Sequence, residues 1–137
     1  VKPSVPRSGL ALLCCAILAI AVYGNALHNP FVYDDYRLIV ENPTIQIPSG
    51  LTTILTRDIT RPVVTLSYAF DTAVWGHEPF GYHVTSVLVH AVNVALVFWM
   101  SLLLGEDRRR QAGQLVAADA SPLVGATATG LIFAVHP

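Results

Sequence analysis

Apolar residues in this chain come in long blocks, separated by stretches that mix charged, aromatic and turn-forming residues. The first block, "LALLCCAILAIAVY" from Leu10 to Tyr23, is extended by Gly9 before it and by Gly24 to Leu27 after it. With these flanks it approaches the ~17–25 residues that a spanning helix needs, which assigns a first span to 9–27. Lys2 and Arg7 precede it. A basic start and an apolar run of about 7–15 residues also describe a cleavable signal peptide, so for this block alone both readings stand. The second block, "VTSVLVHAVNVALVFWMSLLL" over 84–104, holds no Lys, Arg, Asp or Glu. Its length matches a ~30 Å hydrocarbon core, so the protein is integral to a membrane either way.

A third block, "PLVGATATGLIFAVHP" over 122–137, opens on Pro122, whose missing N–H costs nothing in a first helical turn. Ala126 and Gly130 put small residues on one face, which permits close helix packing. The run ends at His136-Pro137 without a polar tail, and the chain reads as a fragment of a longer protein that does not act alone.

Charge placement orients these spans. Lys2 and Arg7 flank the first, and Arg108, Arg109 and Arg110 follow the second, so both flanks, including a loop over 105–121, are expected on the cytoplasmic side. The connection over 28–80 then lies outside, and it carries Asp34, Asp35, Glu41, Asp58, Asp71 and Glu78 against Arg37, Arg57 and Arg61. Loops beyond about 12–15 residues are usually functional or disordered, and the apolar content of this one argues for order. "LTTIL" after Pro48-Ser49-Gly50 predicts a short helix capped by Ser49. "RPVVTLSYAFDTAVWG" predicts a longer one, with Pro62 near its start and Val63, Leu66, Phe70 and Val74 on one face. That face suits a helix lying on the bilayer, with Trp75, Phe80 and Tyr82 marking re-entry into the interface. The core helix of a soluble outer domain would show the same pattern.

Composition agrees with a membrane setting. Charged residues make up 12% of the chain, about half of what a soluble domain carries, and the mean hydropathy is +0.55. A net charge of -1 gives no basic surface for nucleic acid. Cys14 and Cys15 are neighbours within the first block, where they serve as small apolar filler and cannot staple the fold.

Against this background "FVYDDY", Phe31 to Tyr36, stands out: adjacent carboxylates, Asp34 and Asp35, shortly after a span ends. Adjacent carboxylates in a loop are ordinarily solvated surface charge. Phe31, Tyr33 and Tyr36 would desolvate them, an environment that suits one of a pair to general-base work. A divalent cation is the other option, although two carboxylates do not complete its oxygen shell. His83, Ser86, His90 and Asn93 recur at spacings of three and four, forming one polar stripe on the second span. Ionisable groups within a membrane face a bundle interior or a wet cavity, and His90 and Asn93 read as glue between helices. His83 and His136 are both expected at the outer membrane face, where they and Arg61 would converge with the acidic pair.

The ordered set "YGNALHNPFVYDDYRLIVENP", "RPVVTLSYAFDTAVWGHEPFGYH", a helix with His90 and a closing "FAVHP" resembles the N-terminal membrane part of the TMTC-type protein O-mannosyltransferases and their bacterial relatives. Where the family commonly has Asn, this chain has Ser86. The resemblance implies an all-α membrane protein, here the N-terminal fragment of a multispanning GT-C-type helical bundle with interfacial helices in its first outer loop. It implies a sugar donor of the polyprenyl- or dolichyl-phosphate class, an acceptor protein and no cofactor. It also implies a seat in the bacterial inner membrane, or in the endoplasmic reticulum membrane of a eukaryote. The family's acidic pair matches Asp34 and Asp35. Arg61, His83 and His136 are the candidate contacts for the donor phosphate. A non-catalytic scaffold that binds a partner through the acidic loop, or an ion or proton pathway along the His stripe, is the alternative.

Overall fold

The computed structural model describes residues 5–46, 51–57, 60–111 and 121–136, and among them every regular element is helical. They are α1 (Val5–Tyr23) with a 3-10 turn (Gly24–His28), a π-turn (Tyr36–Val40), α2 (Pro43–Gln46), α3 (Leu51–Arg57), α4 (Pro62–Trp75), α5 (Pro79–Gln111) and α6 (Pro122–Val135). The chain divides into a span unit, Val1–Gly24 with Val87–Pro137, and a loop unit, Asn25–Ser86.

In the span unit α1, α5 and α6 share one core of Cys15, Ala19, Val94, Phe98, Leu102, Ala126 and Ala134. Helices in lipid gain no hydrophobic drive toward one another, so small residues that allow close approach decide the packing. Ala126, Gly130 and Ala134 form the buried side of α6, as the small-residue face predicts. A Cβ at Gly130 would stand 3.0 Å from Cys15 Sγ and 3.5 Å from Phe98 Cδ2, so this glycine is what lets α6 meet α1 and α5. The hydroxyls of Thr127 and Thr129 turn back onto the carbonyls of Leu123 and Gly125, at 2.7 and 3.0 Å, so their polarity is absorbed within α6.

Arg7–His28 and Pro79–Gln111 are long and apolar enough to cross a membrane, and only 11% and 22% of their most apolar windows are buried. The core helix of a soluble protein would bury most of that surface; these leave it outward, as lipid requires. The region is an all-α membrane fold. At 33 residues α5 is about 50 Å long, well beyond a ~30 Å hydrocarbon core and longer at both ends than the block over 84–104. Its extra C-terminal turns take up residues 105–111, expected as loop. A hydrogen bond from Gln111 to Asp107 at 2.6 Å and basic residues in the last turn favour helix there.

The loop unit builds a second core from Phe31, Ile39, Ile45 and Tyr82, with Tyr68 and Ala69 of α4 against it. Here α4 faces the opposite way from a soluble amphipathic helix. Thr65 and Asp71 are its buried residues, while Val63 and Phe70 are 77% and 63% exposed and Leu66 and Val74 are exposed as well. The expected apolar face is present, and it points away from the core. The Ser49 cap expected for α3 lies outside the described residues, as does Lys2.

A candidate active site in the acidic turn

The turn that carries the acidic pair is held from several sides. Phe31 is buried with its ring edge-on to Tyr82, centroids 5.3 Å apart. The Val32 N–H donates to Asp35 Oδ2 at 3.0 Å, and the Asp35 N–H donates to the Val32 carbonyl at 3.0 Å. The second bond is an i to i+3 backbone turn, and the first closes it with a side chain. Directly after it the Glu41 N–H reaches the Tyr36 carbonyl at 2.7 Å, closing the π-turn; such insertions frequently sit at functional sites. Asn42 ends the segment by donating from Nδ2 to the Leu38 carbonyl and accepting the Thr44 N–H, each at 3.0 Å, which caps α2.

Within this frame the two carboxylates differ. Asp35 is half-buried and committed to the Val32 N–H. The Asp34 carboxylate is exposed and makes no hydrogen bond to the described residues. The expected aromatic enclosure is not what forms. Phe31 turns inward to Tyr82, whereas Tyr33 is 94% exposed and Tyr36 is exposed too. The physical reason lies in the backbone: Tyr33 holds φ at 45°, a left-handed conformation that non-glycine residues seldom adopt and that tends to mark functional sites. Among the described residues no group of three His, Cys, Asp or Glu gathers to hold a metal ion, so the donor set here stays at the two carboxylates.

From α5, His83 places Nε2 3.0 Å from the Asn29 carbonyl oxygen, just ahead of the turn. Arg61, exposed, occupies the N-cap of α4, where its carbonyl accepts the Thr65 N–H at 3.0 Å. Tyr68, two turns on, is half-buried, and its phenol is pushed up first by burial and then by the charge of Asp35, with Arg61 opposing and Asp71 adding. One phenol thus feels the acidic turn and Arg61 together. Asp34, Asp35, Arg61 and His83 all belong to the loop unit, and His136 belongs to the span unit. There the His136 N–H closes α6 on the Ile132 carbonyl at 3.1 Å.

Sequence reasoning passed over Tyr68 and Asp71. Asp71 is 3% exposed, accepts the Thr85 hydroxyl at 2.6 Å, and burial pushes its carboxyl up against the pull of that bond. The signal was there: Thr65, Tyr68 and Asp71 recur every third residue opposite Val63, Leu66 and Phe70. A polar stripe reads as the water-facing side until something shows that the apolar stripe is the outer one. The stripe on α5 divides: Ser86 and Asn93 are exposed, while His90 puts Nε2 3.3 Å from the Ala134 carbonyl, between the rings of Tyr23 and Phe133.

An all-α membrane region whose loop unit carries a hydrogen-bonded acidic turn is thus the class of protein defined here. Comparison with known proteins carries this further. The chain is 31% identical to Protein O-mannosyl-transferase Tmtc1 of Drosophila melanogaster, with 90% of the chain and 14% of that protein aligned. It is 32% identical to human Protein O-mannosyl-transferase TMTC2 over 71% of the chain and 13% of the relative. To Drosophila Tmtc3 it is 26% identical, over 98% of the chain and 16% of the relative. No family model and no solved structure matches it. The chain is a TMTC-like membrane region, and it spans about a seventh of the length of these relatives.

Proposed function

We infer that this region is part of a membrane glycosyltransferase of GT-C type that moves mannose from a polyprenyl- or dolichyl-phosphate donor to a hydroxyl of an acceptor protein. Support comes from the activity named in its relatives and, within the chain, from one observation: Asp34 is exposed and uncommitted on a turn that Asp35 locks. A hydroxyl is a poor nucleophile until a base takes its proton. In this reading the Asp34 carboxylate accepts that proton as the hydroxyl oxygen attacks the anomeric carbon. The bond from that carbon to the phosphate oxygen breaks on the opposite face, and the lipid phosphate leaves with the electron pair. Asp35 holds the turn in shape. Arg61 supplies positive charge to the leaving phosphate, and His136 is a second donor-side contact. The lipid tail stays in the bilayer, which presents the sugar at the membrane surface, and the exposed apolar side of α4 rests on that surface. The membrane is the bacterial inner membrane, or the endoplasmic reticulum membrane in a eukaryote, and the region acts only together with the rest of its protein.

The test is transfer from polyprenyl-phosphate mannose by the full-length protein in detergent. Asp34→Asn keeps the shape of the side chain but cannot take the proton, so transfer falls by ~10²–10⁴-fold while membrane insertion is unchanged. Wild-type turnover by the double variant Asp34→Asn, Asp35→Asn would return the acidic loop to a scaffold role.

A further inference from the structure

Residues 29–31 carry the chain from the 3-10 turn into the acidic turn without a helix of their own. Along this strap the Asn29 N–H is used locally, on the Ala26 carbonyl at 3.0 Å, and Pro30 has no N–H to give. The directed bond that ties the strap to a helix comes from His83, 54 residues further along, whose Nε2 lies 3.0 Å from the Asn29 carbonyl oxygen. A carbonyl only accepts, so Nε2 carries a proton toward it. That ring nitrogen is thereby engaged by the strap.

From Asn29 onward each link is fixed. The Phe31 ring packs on Tyr82, which sets how deep the strap sits but not how it is rotated. The His83 bond supplies the missing constraint two residues earlier. Val32 and Asp35 then bond each other, Tyr33 holds its left-handed backbone, and Asp34 lies between them. Both anchors, Tyr82 and His83, are consecutive residues of one helix.

We propose that His83 is a positioning residue for transfer: by gripping the Asn29 carbonyl it sets where the turn presents the Asp34 carboxylate. This rests on Asp34 as the base. A misplacement of about 1 Å far from the chemistry can cost ~10²-fold in rate, so one directed bond at the root of the turn is enough to matter.

The experiment compares His83→Phe and His83→Gln with Asp34→Asn in the full-length protein, measuring kcat and the KM for polyprenyl-phosphate mannose. Phe keeps a ring and loses the donor; Gln places an N–H near the Nε2 position without a cationic form. Expected are a kcat lowered ~10–100-fold in His83→Phe with KM for the donor little changed, and recovery of most of that kcat in His83→Gln. Loss of kcat in His83→Gln, with or without a raised KM, overturns the proposal, and a raised KM in both variants marks a phosphate contact instead. Wild-type kcat in His83→Phe makes the residue a bystander. If His83→Phe does not insert, His83→Ala takes its place as the variant without a donor: a lowered kcat that His83→Gln restores supports positioning, and wild-type kcat overturns it. Wild-type transfer by Asp34→Asn shows instead that the base assignment has failed, and this proposal falls with it.

Discussion

Val32 and Asp35 hold each other through two hydrogen bonds of 3.0 Å, one from the Val32 N–H to the Asp35 carboxylate and one from the Asp35 N–H to the Val32 carbonyl. Adjacent carboxylates thereby acquire different surroundings: Asp35 is bonded to the turn and Asp34 is exposed. Asp35→Ala leaves the Val32 N–H without its acceptor, and loss of one such hydrogen bond costs about 0.5–1.5 kcal/mol. Asp35→Asn keeps an oxygen in place and should cost clearly less. Thermal unfolding of the two variants in detergent, set beside their transfer rates, separates the two carboxylates: Asp35→Asn should retain more activity than Asp34→Asn. The reverse order would exchange the roles of the pair.

Asp71 gives a pH dependence with a definite sign. Burial raises its carboxyl above the ordinary value of 3.8, against the Thr85 bond. The folded state then binds more protons than the unfolded one between these two values, and stability falls as pH rises through that window. The contribution is fully present below the ordinary value and lost above the raised one. Asp71→Asn still accepts the Thr85 hydroxyl and carries no charge to bury. At neutral pH it should unfold at a higher temperature than the wild type, and the gap should close toward acid. A gap that widens in acid would contradict the assignment.

The α6 interface separates two glycines in the same helix. Gly125 has nothing within 4 Å of an added Cβ, whereas Gly130 meets Cys15 and Phe98. Gly130→Leu should lower the yield and thermal midpoint of the folded protein, in line with ~1–3 kcal/mol for overpacking, and Gly125→Leu should be far milder. Size-exclusion profiles and unfolding midpoints of the pair check this.

Orientation is testable with Glu41→Cys and Gln111→Cys, both at exposed positions. By the positive-inside rule, the Arg108–Arg110 cluster predicts a cytoplasmic end for α5. A membrane-impermeant maleimide should label position 41 in intact cells and position 111 only after permeabilisation. Labelling of position 111 from outside would invert the topology.

The helices were legible because block hydrophobicity is a one-dimensional signal. A run without charge over 84–104 needs no neighbours to be read, and the small face of α6 follows from helical spacing alone. The ends of α5 were less so, since Gly105 to Gln111 read as loop until the Asp107–Gln111 bond is seen. In the acidic turn the pair itself was visible, but the difference between its two carboxylates depends on the backbone at Tyr33 and on which of them meets the Val32 N–H. Neither leaves a trace in composition. Asp71 was hidden for a different reason. Which face of α4 is buried depends on what covers the other face, and in a membrane protein polar residues can be the inner ones.

The corner between α4 and α5 has a mechanical consequence. Gly76 turns the chain at φ 63°, the Tyr82 hydroxyl lies 2.9 Å from the Gly76 carbonyl and 2.7 Å from Thr72 Oγ1, and any Cβ at Gly81 would overlap the Trp75 ring. The corner is therefore a bracket rather than a hinge. Tyr82 thereby joins α4, through Thr72 and Gly76, to the ring of Phe31 at the root of the acidic turn.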